Sequence, residues 1–221
     1  MRSNKSAASD VASRHHARMN KPKLSYFDAP VSRGEECRLA LMLAGVDFED
    51  ERIKFADWPP RKSGTPFGSM PVFHVPGHPP LAQTNAILVL IGRRHGLHPK
   101  DDFVAAQHEA VMEYVEELRG AIRPSMVTKD PDEKRRMREA LASEYLPQWA
   151  ANVERLIGDG PFFGGAGPQV VDLKIYVVTK WLRSGVLDHI PTTVWDAYPK
   201  LLRIHDAVRD DARVKAWYAR S

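Results

Sequence analysis

Cys37 is the single cysteine of the 221-residue chain. It sits among Leu39, Ala40 and Leu41 at helical spacing, which makes it a buried small hydrophobe rather than a nucleophile. One cysteine excludes a disulfide framework, a Cys-cluster metal site and a CxxC redox centre, and points to a reducing, cytoplasmic setting. The nine histidines, His15-His16 among them, show no ligand spacing, so no metal is expected. Neither GxGxxG nor GxxxxGK[ST] occurs, and the glycine-rich run 158–165 follows no strand that would make it a phosphate loop. What remains are hydroxyls and helix starts. Ser25 and Tyr26 fall in a first strand, Ser32 opens a helix, and Gln83-Thr84 opens another, where free backbone N–H groups bind carboxylates. For both Ser32 and Thr84 the plain structural role is an N-cap.

The elements that must position these residues divide the chain in two. Residues 23–27 read as a short strand, followed by the turn Asp28-Ala29-Pro30. A helix over 32–44 ends at Gly45, strands follow at 48–55, 71–75 and 81–82, and a helix over 84–94 stops at Gly96. Beyond Pro99 every periodic segment is helical: 103–119 with a stripe at Val104, Val111, Met112, Val115 and Leu118, then 131–157 with a kink at Pro147. A segment over 170–182, apolar nearly all round, reads as a central buried helix, and two short helices follow near 201–208 and 211–218. The expected architecture is therefore a βαβββα domain over 22–97, joined near 97–102 to an all-α domain over 102–221.

Charge and hydropathy narrow the function classes. The net charge is +4, but residues 1–24 alone carry +5, so the other 197 sum to about −1. A nucleic-acid binder carries its basic field on the folded body; here the excess lies in a Ser/Ala/Arg-rich extension, 1–21, without the apolar core of a secretory signal. The cluster Lys134-Arg135-Arg136-Met137-Arg138 is flanked by Glu133 and Glu139 and reads as a solvated helix face. The longest apolar run is interrupted by Asp172, Lys174 and Lys180, so no membrane span is expected.

Several segments, taken in order, resemble a known family: Tyr26 in the first strand, Phe48-Glu49-Asp50-Glu51-Arg52-Ile53, Ala56-Asp57-Trp58-Pro59-Pro60-Arg61-Lys62, Pro66-Phe67-Gly68-Ser69-Met70-Pro71-Val72 and Ala82-Gln83-Thr84-Asn85-Ala86-Ile87. The chain is similar over about 22–220 to the cytosolic glutathione transferases. It is most similar to their sigma class, which includes a glutathione-dependent prostaglandin D synthase. The resemblance implies a thioredoxin-like first domain, a helical second domain, a homodimer, glutathione as co-substrate, and a cytoplasmic detoxification enzyme conjugating glutathione to small apolar electrophiles. Isomerase or peroxidase chemistry on the same thiolate is a variant of that reading.

The resemblance also implies roles for residues. A free thiol titrates near ~8.5, so a hydroxyl hydrogen bond that favours the thiolate activates it. Tyr26 matches the family's catalytic tyrosine; Ser32 matches classes that use a serine at the first helix start; Arg33 matches an arginine that supports the thiolate. Trp58 and Lys62 match donors to the glycyl carboxylate. Met70-Pro71 matches the cis-proline whose neighbouring backbone pairs with the cysteinyl segment, with Ser69 where relatives carry a longer polar residue. Gln83 and Thr84 match the γ-glutamyl site, and Glu116 or Glu117 matches an aspartate reaching the partner subunit's glutathione. Tyr114, Met112, Leu118, Met126 and Trp181 are candidates for the second substrate by position, with core packing as the alternative for each. Gln169 stands where the central helix usually has a Ser/Thr cap, with Asp172 retained. A non-catalytic, transferase-like scaffold remains the alternative function.

Overall fold

The computed structural model describes residues 21–220; the extension 1–20, with His15-His16, lies outside them. Four strands form one sheet in the order β2-β1-β3-β4: β1 Lys23–Phe27, β2 Glu49–Ile53, β3 Val72–His74 and β4 Leu81–Ala82. β1 runs parallel to β2, with Tyr26 opposite Arg52, and antiparallel to β3, with Ser25 opposite Val72. β3 runs antiparallel to β4, with Val72 opposite Ala82. The helix α1, Ser32–Leu43, crosses between β1 and β2, and α2, Thr84–His95, follows β4. This is the expected βαβββα unit with a thioredoxin-like mixed sheet. The second strand is shorter than the expected 48–55, because Phe55–Asp57 and Pro59–Gly64 coil into 3₁₀ turns.

The rest is helical: α3 Asp102–Val127, α4 Pro131–Ala140, α5 Leu146–Leu156, α6 Val170–Arg183, α7 Pro199–Asp210 and α8 Ala212–Tyr218. α3 starts on Asp101, whose carboxylate accepts from the backbone N–H of Phe103 and Val104 at 3.0 and 2.9 Å, a side-chain N-cap. It runs two turns past the expected end at 119. Ile122 and Ser125 are buried on that extension, so packing carries the helix through Pro124. The kink foreseen at Pro147 is a π-turn over Leu141–Tyr145, whose widened hydrogen-bond spacing absorbs a residue that has no N–H to give.

α6 is the central helix, buried from Val170 to Thr179. Its start is held by Asp172, which accepts from Gln169 N at 2.8 Å and from Phe163 N at 2.7 Å. The core runs without a break from Leu24, Phe73 and Ile87 through Met112, Leu118 and Trp149 to Ile175 and Trp195. Of the stripe expected on α3, Val104 is 40% exposed, while Val111, Met112, Val115 and Leu118 are buried.

Candidate active site

The sheet register brings the candidate residues together. Extending the observed pairings by one residue puts Tyr26 beside Pro71 and Pro71 beside Gln83, one row across β1, β3 and β4. The Met70–Pro71 peptide bond is cis, as expected, and it lies just before β3. Gln83 follows β4 directly with φ +72° and is exposed, and Thr84, at the start of α2, is buried. The Thr84 hydroxyl has no hydrogen-bond partner among the described residues. A buried, unpaired hydroxyl at a helix start beside a backbone in the left-handed region is a combination that suits an incoming carboxylate or amino group.

The loop from β1 to α1 supplies the hydroxyls. Arg38, fully buried in α1, donates to Phe27 O at 3.0 Å, to Ala29 O at 2.8 Å and to Asp50 at 2.9 Å. It thereby ties the end of β1 and the turn after it to β2. Ser32 follows that turn with φ +59°. Ser32, Gln83 and His189 are the non-glycine residues in the left-handed region among the described residues, and two of the three belong to this site. The N-cap of α1 is Val31, with no side-chain cap, so Ser32 is not the helix cap its position suggested. Its hydroxyl is instead near enough to Tyr26 to draw the phenol pKa down. Ser25 is occupied elsewhere, donating to Glu51 Oε2 at 2.6 Å.

Tyr26 is 7% exposed, and its ring rests on Gly34 of α1. Burial raises its pKa above the usual 10, against the opposing pull of the Ser32 hydrogen bond and the charges of Arg33 and Arg119. The phenol is therefore protonated at neutral pH, with its O–H available to donate. Burial likewise pushes the Cys37 thiol upward, consistent with an inert core residue.

Trp58 stands edge-on to the Phe27 ring at 6.0 Å, and Phe27 stacks on Phe55 at 4.3 Å. Lys62 is exposed and its Cε lies 3.4 Å from where a Cβ on Gly68 would be, beside half-buried Ser69. That approach, with Gly68 at φ +60°, is why glycine stands there.

Behind the hydroxyls lies a charge network absent from the sequence reading. Glu116 receives Arg33 at 2.7 Å, Arg119 at 2.7 Å and Lys174 at 2.5 Å. Glu36, fully buried on α1, pairs with Arg119 and lies 3.3 Å from the fully buried Lys174 ammonium. Burial would raise the Glu116 pKa, but the three cations outweigh it and hold the carboxyl at about 2. So Glu116 faces inward within its own subunit, while Glu117 is exposed. Arg33 is not a lone surface arginine, because it joins α1 to α3 through Glu116. The missed members are Glu36, Arg119 and Lys174. In sequence they are charged residues in apolar stripes, a signal visible only as an interruption of the helical pattern.

An open cleft of 660 Å³ lies against Ser32 and Arg33, between α1, α3 and α6. Met126 and Trp181 line it, as expected. Met112 and Leu118 are core residues, and Tyr114 stacks on Trp149 while its hydroxyl accepts from Asn152 at 3.0 Å.

Comparisons with known proteins agree with this fold. The family model for the glutathione S-transferase N-terminal domain matches residues 22–93, and that for the C-terminal domain matches 116–221. The chain is 30% identical to probable glutathione S-transferase 7 of Caenorhabditis elegans, over 88% of this chain and 94% of that protein. It is 28% identical to hematopoietic prostaglandin D synthase of Gallus gallus, again over 88% and 94%. Among solved structures, the glutathione S-transferase of Ascaris lumbricoides superposes with a TM-score of 0.74 at 29% identity, covering 90% of this chain and 97% of that one. A prostaglandin D synthase of Nilaparvata lugens shares the fold at a TM-score of 0.80 and 24% identity, covering 90% and 97%. With the βαβββα unit, the helical second half, the cis Met70–Pro71 bond and these matches in agreement, the chain belongs to the cytosolic glutathione S-transferase family.

Proposed function

We propose that this transferase activates glutathione as a thiolate on the Tyr26 hydroxyl and conjugates it to small electrophiles held in the cleft between α1, α3 and α6. The observation that carries the reading is the pairing of Ser25 with Val72 and of Val72 with Ala82, which brings the neighbouring Tyr26, Pro71 and Gln83 to one end of the sheet, next to the unpaired Thr84 hydroxyl. Gln83 and Thr84 hold the γ-glutamyl end, the Met70 backbone before cis-Pro71 pairs with the cysteinyl segment, and Ser69, Trp58 and Lys62 serve the glycyl end. Tyr26 donates its O–H to the sulfur, which favours the charged form. Ser32 donates to the Tyr26 oxygen and orients it, so the two hydroxyls that compete in the sequence act in series. Arg33 adds positive charge beside the sulfur, positioned by Glu116. The two-domain division at 97–102, a homodimer and a cytoplasmic setting belong to the same proposal. Exposed Phe67 and Phe103 give a second copy apolar surface to cover.

Difference ultraviolet absorbance of bound glutathione across pH tests the assignment. In wild type the bound thiol titrates well below ~8.5. Tyr26→Phe raises that value by one unit or more with binding retained, and Ser32→Ala raises it by less. A larger shift in Ser32→Ala makes serine the thiolate's direct donor. Binding without a thiolate leaves a scaffold.

A further inference from the structure

The cleft is largely apolar, as the resemblance implies, but charged side chains border it. On α3 it is lined by Glu116, Arg119, Gly120, Arg123 and Met126, and on α6 by Val177, Lys180 and Trp181, with Ser184 just past the helix end. These positions recur at the three- and four-residue spacing of one helix face, so two facing stripes form its walls. Four cations border it, Arg33, Arg119, Arg123 and Lys180, against two carboxylates, Glu35 and Glu116. Both carboxylates are already engaged: Glu116 by Arg33, Arg119 and Lys174, and Glu35 by Arg38 at 3.5 Å and the Trp217 indole at 3.0 Å. Arg119 is further committed to Glu36. Arg123 and Lys180 make no ion pair among the described residues. Lys180 is half-buried, its ammonium 3.8 Å from the centre of the Tyr218 ring, and burial lowers its pKa against the opposing pull of the Glu35 charge. The folded body is near neutral, so this local surplus of two positive charges is a property of the cleft.

We propose that the second substrate is an apolar electrophile bearing a carboxylate, with Lys180 and Arg123 as the specificity-determining residues that hold the carboxylate. This rests on the transferase reading above. The apolar part lies on Val177, Trp181 and Met126, and the reacting carbon faces the thiol beside Tyr26 and Ser32. An anion here relieves the desolvation of Lys180 and forms a charge-assisted hydrogen bond in a partly enclosed site. A neutral analogue leaves that ammonium as it is.

The probes are 4-chloro-3,5-dinitrobenzoate and its uncharged amide. In each, the glutathione sulfur bonds to the carbon that carries chlorine, the C–Cl bond breaks and chloride leaves with the bonding pair; the thiol proton has already gone to solvent. Calorimetric titration without glutathione gives the two affinities, and steady-state rates with glutathione give kcat/KM, each divided by the uncatalysed rate constant. The benzoate is expected to bind about tenfold tighter than the amide, with a matching kcat/KM advantage. Lys180→Met and Arg123→Met each reduce that ratio severalfold, and the double variant abolishes it. Equal affinities in wild type, or an advantage that survives both substitutions, overturns the proposal. Selective binding of the benzoate with no conjugation of either compound overturns its role as substrate together with the transferase reading, and leaves an anion-binding pocket.

Discussion

The ring of Tyr26 lies against the α-carbon of Gly34, so closely that a β-carbon there would sit 1.9 Å from Tyr26 Cδ1 and 2.2 Å from Cγ. α1 can approach β1 this nearly only because residue 34 has no side chain, and the approach fixes where the phenol points. Gly34 is thus the seat of the candidate catalytic ring.

Gly34→Ala must therefore displace either the helix or the ring. The expected cost is about 2 kcal/mol of stability, seen as a lowered melting temperature. The bound-thiol pKa rises with it, as in Tyr26→Phe. In a Tyr26→Ala background the same substitution costs much less, because the space has been vacated. A Gly34→Ala protein that melts like wild type would contradict the contact.

Lys174 neutralises Glu36 and Glu116 from within the core, joining α6 to α1 and α3. Lys174→Met removes one partner from a buried network and should cost about 3 kcal/mol by denaturant titration. Adding Glu36→Gln withdraws the stranded charge and should recover part of that loss. If the double variant is as unstable as the sum of the two single ones, the charges do not interact.

Acid should act on Glu116 in a defined window. Its folded pKa of about 2 lies below the ordinary 4.5, so its contribution is fully present above pH 4.5 and disappears as pH falls through 2. That contribution is on the order of 3 kcal/mol. Stability measured between pH 4.5 and 2 should fall more steeply in wild type than in Glu116→Gln, and equal slopes would refute the pairing.

His108 governs a higher window. Burial, aided by the nearby His98, lowers its pKa from 6.5 to about 4, against the loop that carries Phe163 and Gly164. The fold holds the neutral ring, so the unfolded chain takes up the proton first as pH drops. Stability is lost between pH 6.5 and 4. His108→Gln should flatten the curve there and leave the Glu116 window in place.

The elements of this protein are legible in the sequence where local signals set them. Strands and helices followed from local signals: the alternation in 23–27, Gly45 and Gly96 closing helices, Pro131 opening one. Those signals act within a few residues, and tertiary packing reinforced them. Where packing overrode them the reading fell short, as at 119, where buried Ile122 and Ser125 carry α3 through Pro124, and at Ser32, whose hydroxyl turns to Tyr26 instead of capping α1.

By itself the sequence determined the division into a βαβββα unit and a helical unit, the inert role of Cys37 and the string of positions that resembles the glutathione site. The tertiary structure alone decided that Tyr26, Pro71 and Gln83 come to one end of the sheet, next to its last paired residues, that the Ser32 hydroxyl lies by Tyr26, and that Glu36, Glu116, Arg119 and Lys174 form one network. The reason is distance along the chain. Lys174 and Glu36 are 138 residues apart, and no local pattern reports a partner that only chain folding brings within hydrogen-bond reach. The same holds for the charge of the cleft, where facing stripes on α3 and α6 add their cations in one space.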